Sequence, residues 1–262
     1  LEEALSPVIW TVDIETKPIL GYTWGLWQQN ISLPQIVDPG GIMMFAAKQY
    51  GEKDIEAHCE WDDADAMVSR LHEIYDAADY IVTYNGASFD NKYISRAFVE
   101  RGITPPSPHR DLDLLKVVRK RFAFPSKKLS YVCGALGLDL KTDPGGFQTW
   151  VDILSPQTPE DTRAEAKDRM EQYCRNDVAI TEQLFDRLKP WVDGLNVPLY
   201  SDANPFDAEP VPSCNRCGST NLQRRGWAYT TTYRYRRYQC RACGGWLREK
   251  RSESTPSELR NA

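Results

Sequence analysis

The 262-residue sequence contains no apolar run approaching the ~18 residues that a membrane-spanning helix requires, and it opens on no signal-peptide pattern. Internal repeats and long low-complexity segments are also missing, which excludes solenoid and fibrous organisation. Histidine is scarce: His58, His72 and His109 form no motif, and each reads as structural or solvated. A secreted disulfide framework is excluded as well. The seven cysteines are odd in number; Cys214, Cys217, Cys240 and Cys243 cluster, whereas Cys59, Cys133 and Cys174 are scattered. That usage points to a reducing compartment, so a cytoplasmic location without a membrane partner is expected.

What the sequence does have is an uneven charge distribution. Residues 1–212 carry 21 basic and 34 acidic side chains, a net of −13, whereas residues 213–251 carry ten Arg or Lys against Glu249 alone, a net of +9. Such a split suggests two modules with different partners. An acidic module repels nucleic acid unless metal ions neutralise its site, while a basic one attracts phosphate. The expected organisation is a main domain at 1–195, a Pro-, Asp- and Asn-rich linker at 196–212, a four-cysteine module at 213–251 and a tail at 252–262.

Hydrophobic periodicity gives the coarse architecture. Val8–Thr16 alternates as a strand, Tyr22–Trp27 is β-prone, and Ile42–Tyr50 and Ile55–Trp61 follow, which suggests an antiparallel meander. Helical spacing then takes over at Asp62–Ala78, with a short strand at Tyr80–Tyr84 and helices expected at Ser88–Arg101, Leu112–Phe122 and Leu129–Leu136. Thr158-Pro159-Glu160-Asp161 combines an N-cap, a first-turn proline and first-turn acids, so a long helix is expected from there to Leu188, before Pro190. The pattern fits an α/β domain: a mixed sheet flanked by helices, plus a small cysteine-rich module.

Three short segments carry chemistry. In Asp13-Ile14-Glu15 the two carboxylates lie on one strand face, roughly 7 Å apart along the strand. Like charges so placed are costly unless a cation lies between them, and divalent metals take such oxygens as ligands. The alternative for this pair alone is a solvated acidic edge. Asp90, at the end of Asn85-Gly86-Ala87-Ser88-Phe89-Asp90, falls where a strand gives way to a helix, a ligand-binding position in open sheets, although helix-start acids also complement the dipole. Tyr173 and Asp177 are four apart on the long helix and so share a face.

In order and context these segments resemble the three motifs of the DEDD superfamily of 3′→5′ exonucleases, the DnaQ-like branch of the ribonuclease H-like fold. Asp13 and Glu15 match the first motif, Asn85 and Asp90 the N-x-x-x-F-D form of the second, and Tyr173 and Asp177 the third. Members with a catalytic histidine carry it five residues before the last Asp; Gln172 stands there, so the chain resembles the tyrosine subclass. The resemblance spans roughly 7–191. Together with Leu20-Gly21-Tyr22-Thr23-Trp24-Gly25 and the cysteine module, it extends to exonuclease-type proteins of tailed phages, which implies a host-cytoplasm location.

The resemblance implies a phosphodiester hydrolase using two Mg²⁺ ions, or Mn²⁺ in their place. Asp13 is expected to bridge the metals, with Glu15 and Asp177 on the metal that activates water and Asp90 helping to hold the other. Tyr173 is expected to orient the attacking water, and Thr16 and Asn85 to contact the terminal nucleotide. The implied partners are single-stranded DNA or DNA 3′ ends, with a separate replication or recombination protein. RNA exonuclease or structure-selective cleavage on the same fold is the alternative, and a non-catalytic nucleic-acid-binding scaffold the second.

In the basic module, Cys214-Asn-Arg-Cys217-Gly218 and Cys240-Arg-Ala-Cys243-Gly244 are near-identical turns that would form one tetrahedral thiolate site. Zinc is the expected ion and rubredoxin-type iron the alternative. The β-prone, arginine-dense Thr230–Gln239 between them suggests a zinc ribbon. Its arginines suit phosphates, while Tyr229, Tyr233, Tyr235 and Tyr238 suit either base stacking or a small core.

Overall fold

The computed structural model describes residues 7–27, 29–139, 142–197, 212–230 and 233–254, in two compact units, one at Val8–Asp186 and one from Arg187 onward. Most of the linker expected at 196–212 falls at 198–211, outside the described residues.

The larger unit begins with β1 (Ile9–Lys17), β2 (Leu20–Gly21), β3 (Ile36–Asp38), β4 (Gly41–Gln49) and β5 (Glu56–Cys59). There follow α1 (Glu60–Ala77), β6 (Tyr80–Thr83), α2 (Asp90–Glu100), β7 (Arg110–Asp113), α3 (Leu114–Arg121), α4 (Leu129–Ala135), α5 (Gln148–Leu154) and α6 (Glu160–Leu188). Five strands form a mixed sheet in the order β5-β4-β1-β6-β7. β4 is antiparallel to β1 and β5, while β6 is parallel to β1 and β7, so the central strand joins a meander to a crossover half.

Both faces of the sheet are covered, as the apolar pattern of its central strands demands. On one face Trp10, Val12, Ile14 and Phe45 pack against Leu71 and Ile74 of α1 and Ile94 and Phe98 of α2. On the other, Met44 and Ala46 pack against Ile153 of α5 and Met170, Cys174 and Val178 of α6. The regular part of α1 starts at Asp63, whose extended backbone and carboxylate, accepting from the N–H groups of Asp65 and Ala66, form an N-cap.

An irregularity interrupts the β1–β4 ladder beside Glu15. Glu15 pairs with Met44 but Thr16 pairs with Ile42, leaving Met43 as an extra residue. As a result Met43 and Met44 both join the α5–α6 side, while Ile42 and Phe45 join the α1–α2 side. Such bulges re-aim side chains where a sheet meets a site.

Three expectations need correction. Tyr22–Trp27 is not a strand: among the described residues the ladder with β3, in a separate two-stranded ribbon, is confined to Leu20–Gly21, so the meander runs β1-β4-β5. β-propensity without a cross-strand partner does not make a strand. The ribbon's arm, residues 18–37, has no charged side chain, yet Trp24 is 96% and Trp27 83% exposed. Arg110–Asp113 forms a strand, shortening the expected Leu112–Phe122 helix to begin at Leu114. A short helix, α5, stands where none was expected.

The second unit contains three antiparallel strands, β8 (Leu222–Tyr229), β9 (Tyr233–Cys240) and β10 (Trp246–Ser254), in the order β10-β9-β8.

Candidate active site

Alternation along β1 turns Val12 and Ile14 into the α1–α2 core and leaves Asp13 and Glu15 on the face that α6 covers. The third acid arrives on α6, where Met170, Cys174 and Val178 follow helical spacing and bury that helix against β4. Asp177, 2% exposed, is thereby brought to β1: carboxylate oxygens of Asp13, Glu15 and Asp177 all lie within 4.8 Å of one another. Cys174, one turn earlier, closes the space beneath them. Its sulfur is 3.7 Å from the Asp13 carbonyl and 3.8 Å from the Asp13 carboxylate. Burial, and then the charges of Asp13, Glu15 and Asp177, push its thiol well above the ordinary range, so it stays a neutral donor. Tyr173 is 8% exposed and belongs to the same packed cluster.

Asp90 reaches the site from the opposite side of β1. β6 ends at Thr83, and the chain turns through Asn85, held at φ 80°, and Gly86 before α2 begins at Asp90. A Cβ on Gly86 would stand 2.3 Å from the Thr83 hydroxyl oxygen, so the turn requires glycine. Asp90 is 5% exposed and accepts from its own N–H and from that of Ile14, between the two β1 acids. Burial raises its pKa to about 6, the Asp113 charge adding to this and the two N–H donors opposing it.

The structure thus brings Asp13, Glu15 and Asp177 into one cluster and sets Asp90 on the backbone between the first two. Three oxygen donors of this kind suit a hard divalent cation. Asn85 uses its backbone N–H on the Asp113 carboxylate at 2.9 Å. Thr16 offers its carbonyl to the Trp150 indole N–H at 3.0 Å.

Two residues of the site's surroundings escape a reading by motif. Asp113, 28 residues from Asn85, both caps α3 through the Leu115 N–H and holds the Asn85 turn. Inside the helix expected at Leu112–Phe122 it carries no capping signal; as the residue before α3 it is the N-cap. Trp150 is 134 residues from Thr16, and no local signal links them.

In the second unit the four cysteine sulfurs likewise lie within 4.8 Å of one another. Cys214 to Cys243 and Cys217 to Cys240 are each 3.7 Å. Thiolates bound tetrahedrally at ~2.3 Å from zinc stand about 3.8 Å apart, so the cluster fits a zinc ribbon. Each knuckle closes with a glycine N–H, Gly218 on the Cys214 carbonyl and Gly244 on that of Cys240. Burial pushes the Cys240 thiol up, but the N–H groups of Cys243 and Ala242 and the neighbouring thiols outweigh it, lowering the thiol to about 7.

Comparison with known proteins agrees with this architecture. A solved family B DNA polymerase from the hyperthermophilic archaeon Pyrobaculum calidifontis is similar over 70% of this chain, with 18% identity and a TM-score of 0.50. The chain spans about a quarter (25%) of that polymerase's length, and at this identity the likeness concerns the fold. No curated protein matches the sequence. The RNase_H_2 family model, of the RNase H superfamily, matches residues 37–189, a stretch that includes Asp90 and Asp177. With that match covering more than half of the chain, on a mixed sheet whose central strand carries clustered carboxylates, the protein belongs to the RNase H superfamily.

Proposed function

We propose that the protein is a metal-dependent 3′→5′ exonuclease of the DEDD tyrosine subclass, acting on DNA. The observation that carries the reading is the convergence of Asp13, Glu15 and Asp177 within 4.8 Å, from elements more than 160 residues apart in sequence. Asp13, Glu15 and Asp177 would hold the ions, with Asp90 adding a further carboxylate beside Ile14. When bound, divalent ions make water nucleophilic and neutralise phosphate.

The protein's own groups supply position. The capped Asn85–Asp90 turn and the β1 backbone offer polar contacts for the terminal nucleotide, and the Asp13–Cys174 contact fixes one acid. Tyr173 would orient the attacking water; with an unperturbed pKa of ~10, tyrosine serves as a hydrogen-bonding guide at neutral pH, not as a base. The ribbon, zinc-bound and basic, would supply grip on the strand.

End-labelled DNA and RNA oligonucleotides with Mg²⁺ or Mn²⁺ test this reading. Shortening of DNA from its 3′ end is expected, nearly abolished by Asp13→Ala or Asp177→Ala and partly retained by Tyr173→Phe. Full activity in either aspartate variant would refute the assignment. Preferred digestion of RNA would make the enzyme a ribonuclease, and no hydrolysis with either ion would leave a binding scaffold.

A further inference from the structure

The three-stranded sheet carries a concavity. β8 and β10, which flank β9, are both irregular at the same level. On β8, Arg224 pairs with Tyr238 and Trp227 with Arg236, so β8 spends one residue more than β9, at a bend where Gly226 takes φ 70°. On β10, Arg248 pairs with Arg237 and Ser252 with Tyr235, so β10 advances four residues while β9 advances two. Two bulges facing across one strand make a concavity. It has a volume of about 370 Å³ and is lined by Arg224, Trp227, Arg236, Tyr238, Glu249 and Arg251. Small-ligand pockets span ~300–1,000 Å³.

The lining sorts by chemistry. Arg224, Arg236 and Arg251 supply guanidinium donors suited to a phosphate. Two guanidiniums meet the Trp227 ring, Arg236 at 3.6 Å and Arg234 at 4.3 Å from its centroid, and the plane offered to another ring in the concavity is that of Arg236 layered on Trp227. Glu249 is the sole acid among residues 213–251 and would repel phosphate, so it belongs to the other end of the ligand. The Tyr238 hydroxyl donates to its Oε1 at 2.5 Å, which orients the carboxylate and leaves it further acceptor capacity. A carboxylate accepts and cannot donate, so the ring it meets must present N–H groups. Among the bases, guanine alone offers two adjacent donors, at N1 and the 2-amino group.

We propose that this pocket binds a guanine nucleotide of a single strand, with the base on the Trp227–Arg236 layer, its N–H edge on Glu249 and its phosphate among the arginines. The inference rests on the ribbon engaging nucleic acid, not on catalysis.

The test uses the full zinc-loaded chain carrying Asp13→Ala, without Mg²⁺, so that cleavage plays no part. Fluorescence anisotropy follows labelled T9 oligonucleotides with one central G, A, C or T, in deoxy and ribo series that separate DNA from RNA as the source. The G-containing strand is expected to bind about tenfold more tightly, the lower range of a bidentate base contact. Glu249→Gln should erase most of that preference while T9 affinity and zinc content hold. Inosine in place of guanine removes the 2-amino donor without touching the protein, and should do the same. Arg236→Gln should weaken all strands and reduce the salt slope by about one. Equal affinity for the four strands, a preference that survives both Glu249→Gln and inosine, or no binding at all would overturn the proposal. The end-digestion assay on the unmodified enzyme stands apart from each of these results.

Discussion

Neutralising Asp177 should stabilise the metal-free protein even as it removes activity. Carboxylate oxygens of Asp13, Glu15 and Asp177 lie within 4.8 Å of one another. Two unit charges at that distance repel by about 1 kcal/mol in water and about 3.5 kcal/mol at an effective dielectric of 20. Asp13 and Glu15 are partly exposed, so solvent screening favours the lower figure. Asp177→Asn keeps the side chain's size and deletes two repulsive pairs, a gain of about 2 kcal/mol. For a unit of this size that corresponds to a rise of about 4–8 °C in Tm. Magnesium should reverse the order: held by the native acids it would stabilise that protein by mass action, and it should have little to offer the variant. Calorimetry of both proteins, with and without Mg²⁺, gives the four values required. A variant that melts lower than the native protein in Mg²⁺-free buffer, or one that gains equally from Mg²⁺, would show that these acids form a structural network instead of a metal cradle.

Further outcomes follow from the same geometry. Gly86→Ala should cost about 1–3 kcal/mol in urea unfolding through overlap with the Thr83 side chain, and should lower activity by shifting Asp90; unchanged values would mean that the turn relaxes freely. Asp90 has a folded pKa raised to about 6, so its contribution to stability is complete below about pH 4 and is lost as pH rises through 6 in metal-free buffer. Asp90→Asn should flatten that part of the urea-midpoint profile, and a profile that keeps its slope would assign it to other groups. Deleting residues 207–262 should weaken DNA affinity and flatten its salt dependence while leaving metal-dependent hydrolysis in place; unchanged binding would make the ribbon a protein-docking element.

Local patterns in the sequence carry the elements better than their assembly. The cap at Thr158 and the first-turn acids Glu160 and Asp161 mark the start of a 29-residue helix because each acts within one turn. Period-two alternation is enough to put Asp13 and Glu15 on one strand face. Their meeting with Asp177 is different, since it depends on α6 docking across β4 through Met170 and Val178. Arg110–Asp113 hides as a strand because three of its four side chains are charged and its ladder comes from β6. Tyr22–Trp27 misleads for the opposite reason: its residues are strand-like, but among the described residues no strand ladder extends into it. Trp150 on the Thr16 carbonyl is a contact between distant segments that neither motif nor periodicity encodes.

The extra residue at Met43 makes β4 a strand that counts differently on its two halves. Deleting Met43 would restore a regular ladder with β1 and leave the strand's composition almost untouched. Every side chain would also keep its side: Ile42, now next to Met44, would still pair with Thr16 and still face α1 and α2, because Met43 and Met44 share the α6 face. A single-codon deletion at this point should therefore cost only the buried Met43 side chain, whereas deletion of Ala46, within the regular part of the ladder, would turn one half of the strand over. In aligning relatives of this protein, a gap beside the second of the two β1 acids carries the same meaning, and would mark a chain without the bulge whose arm leaves the sheet from the same face.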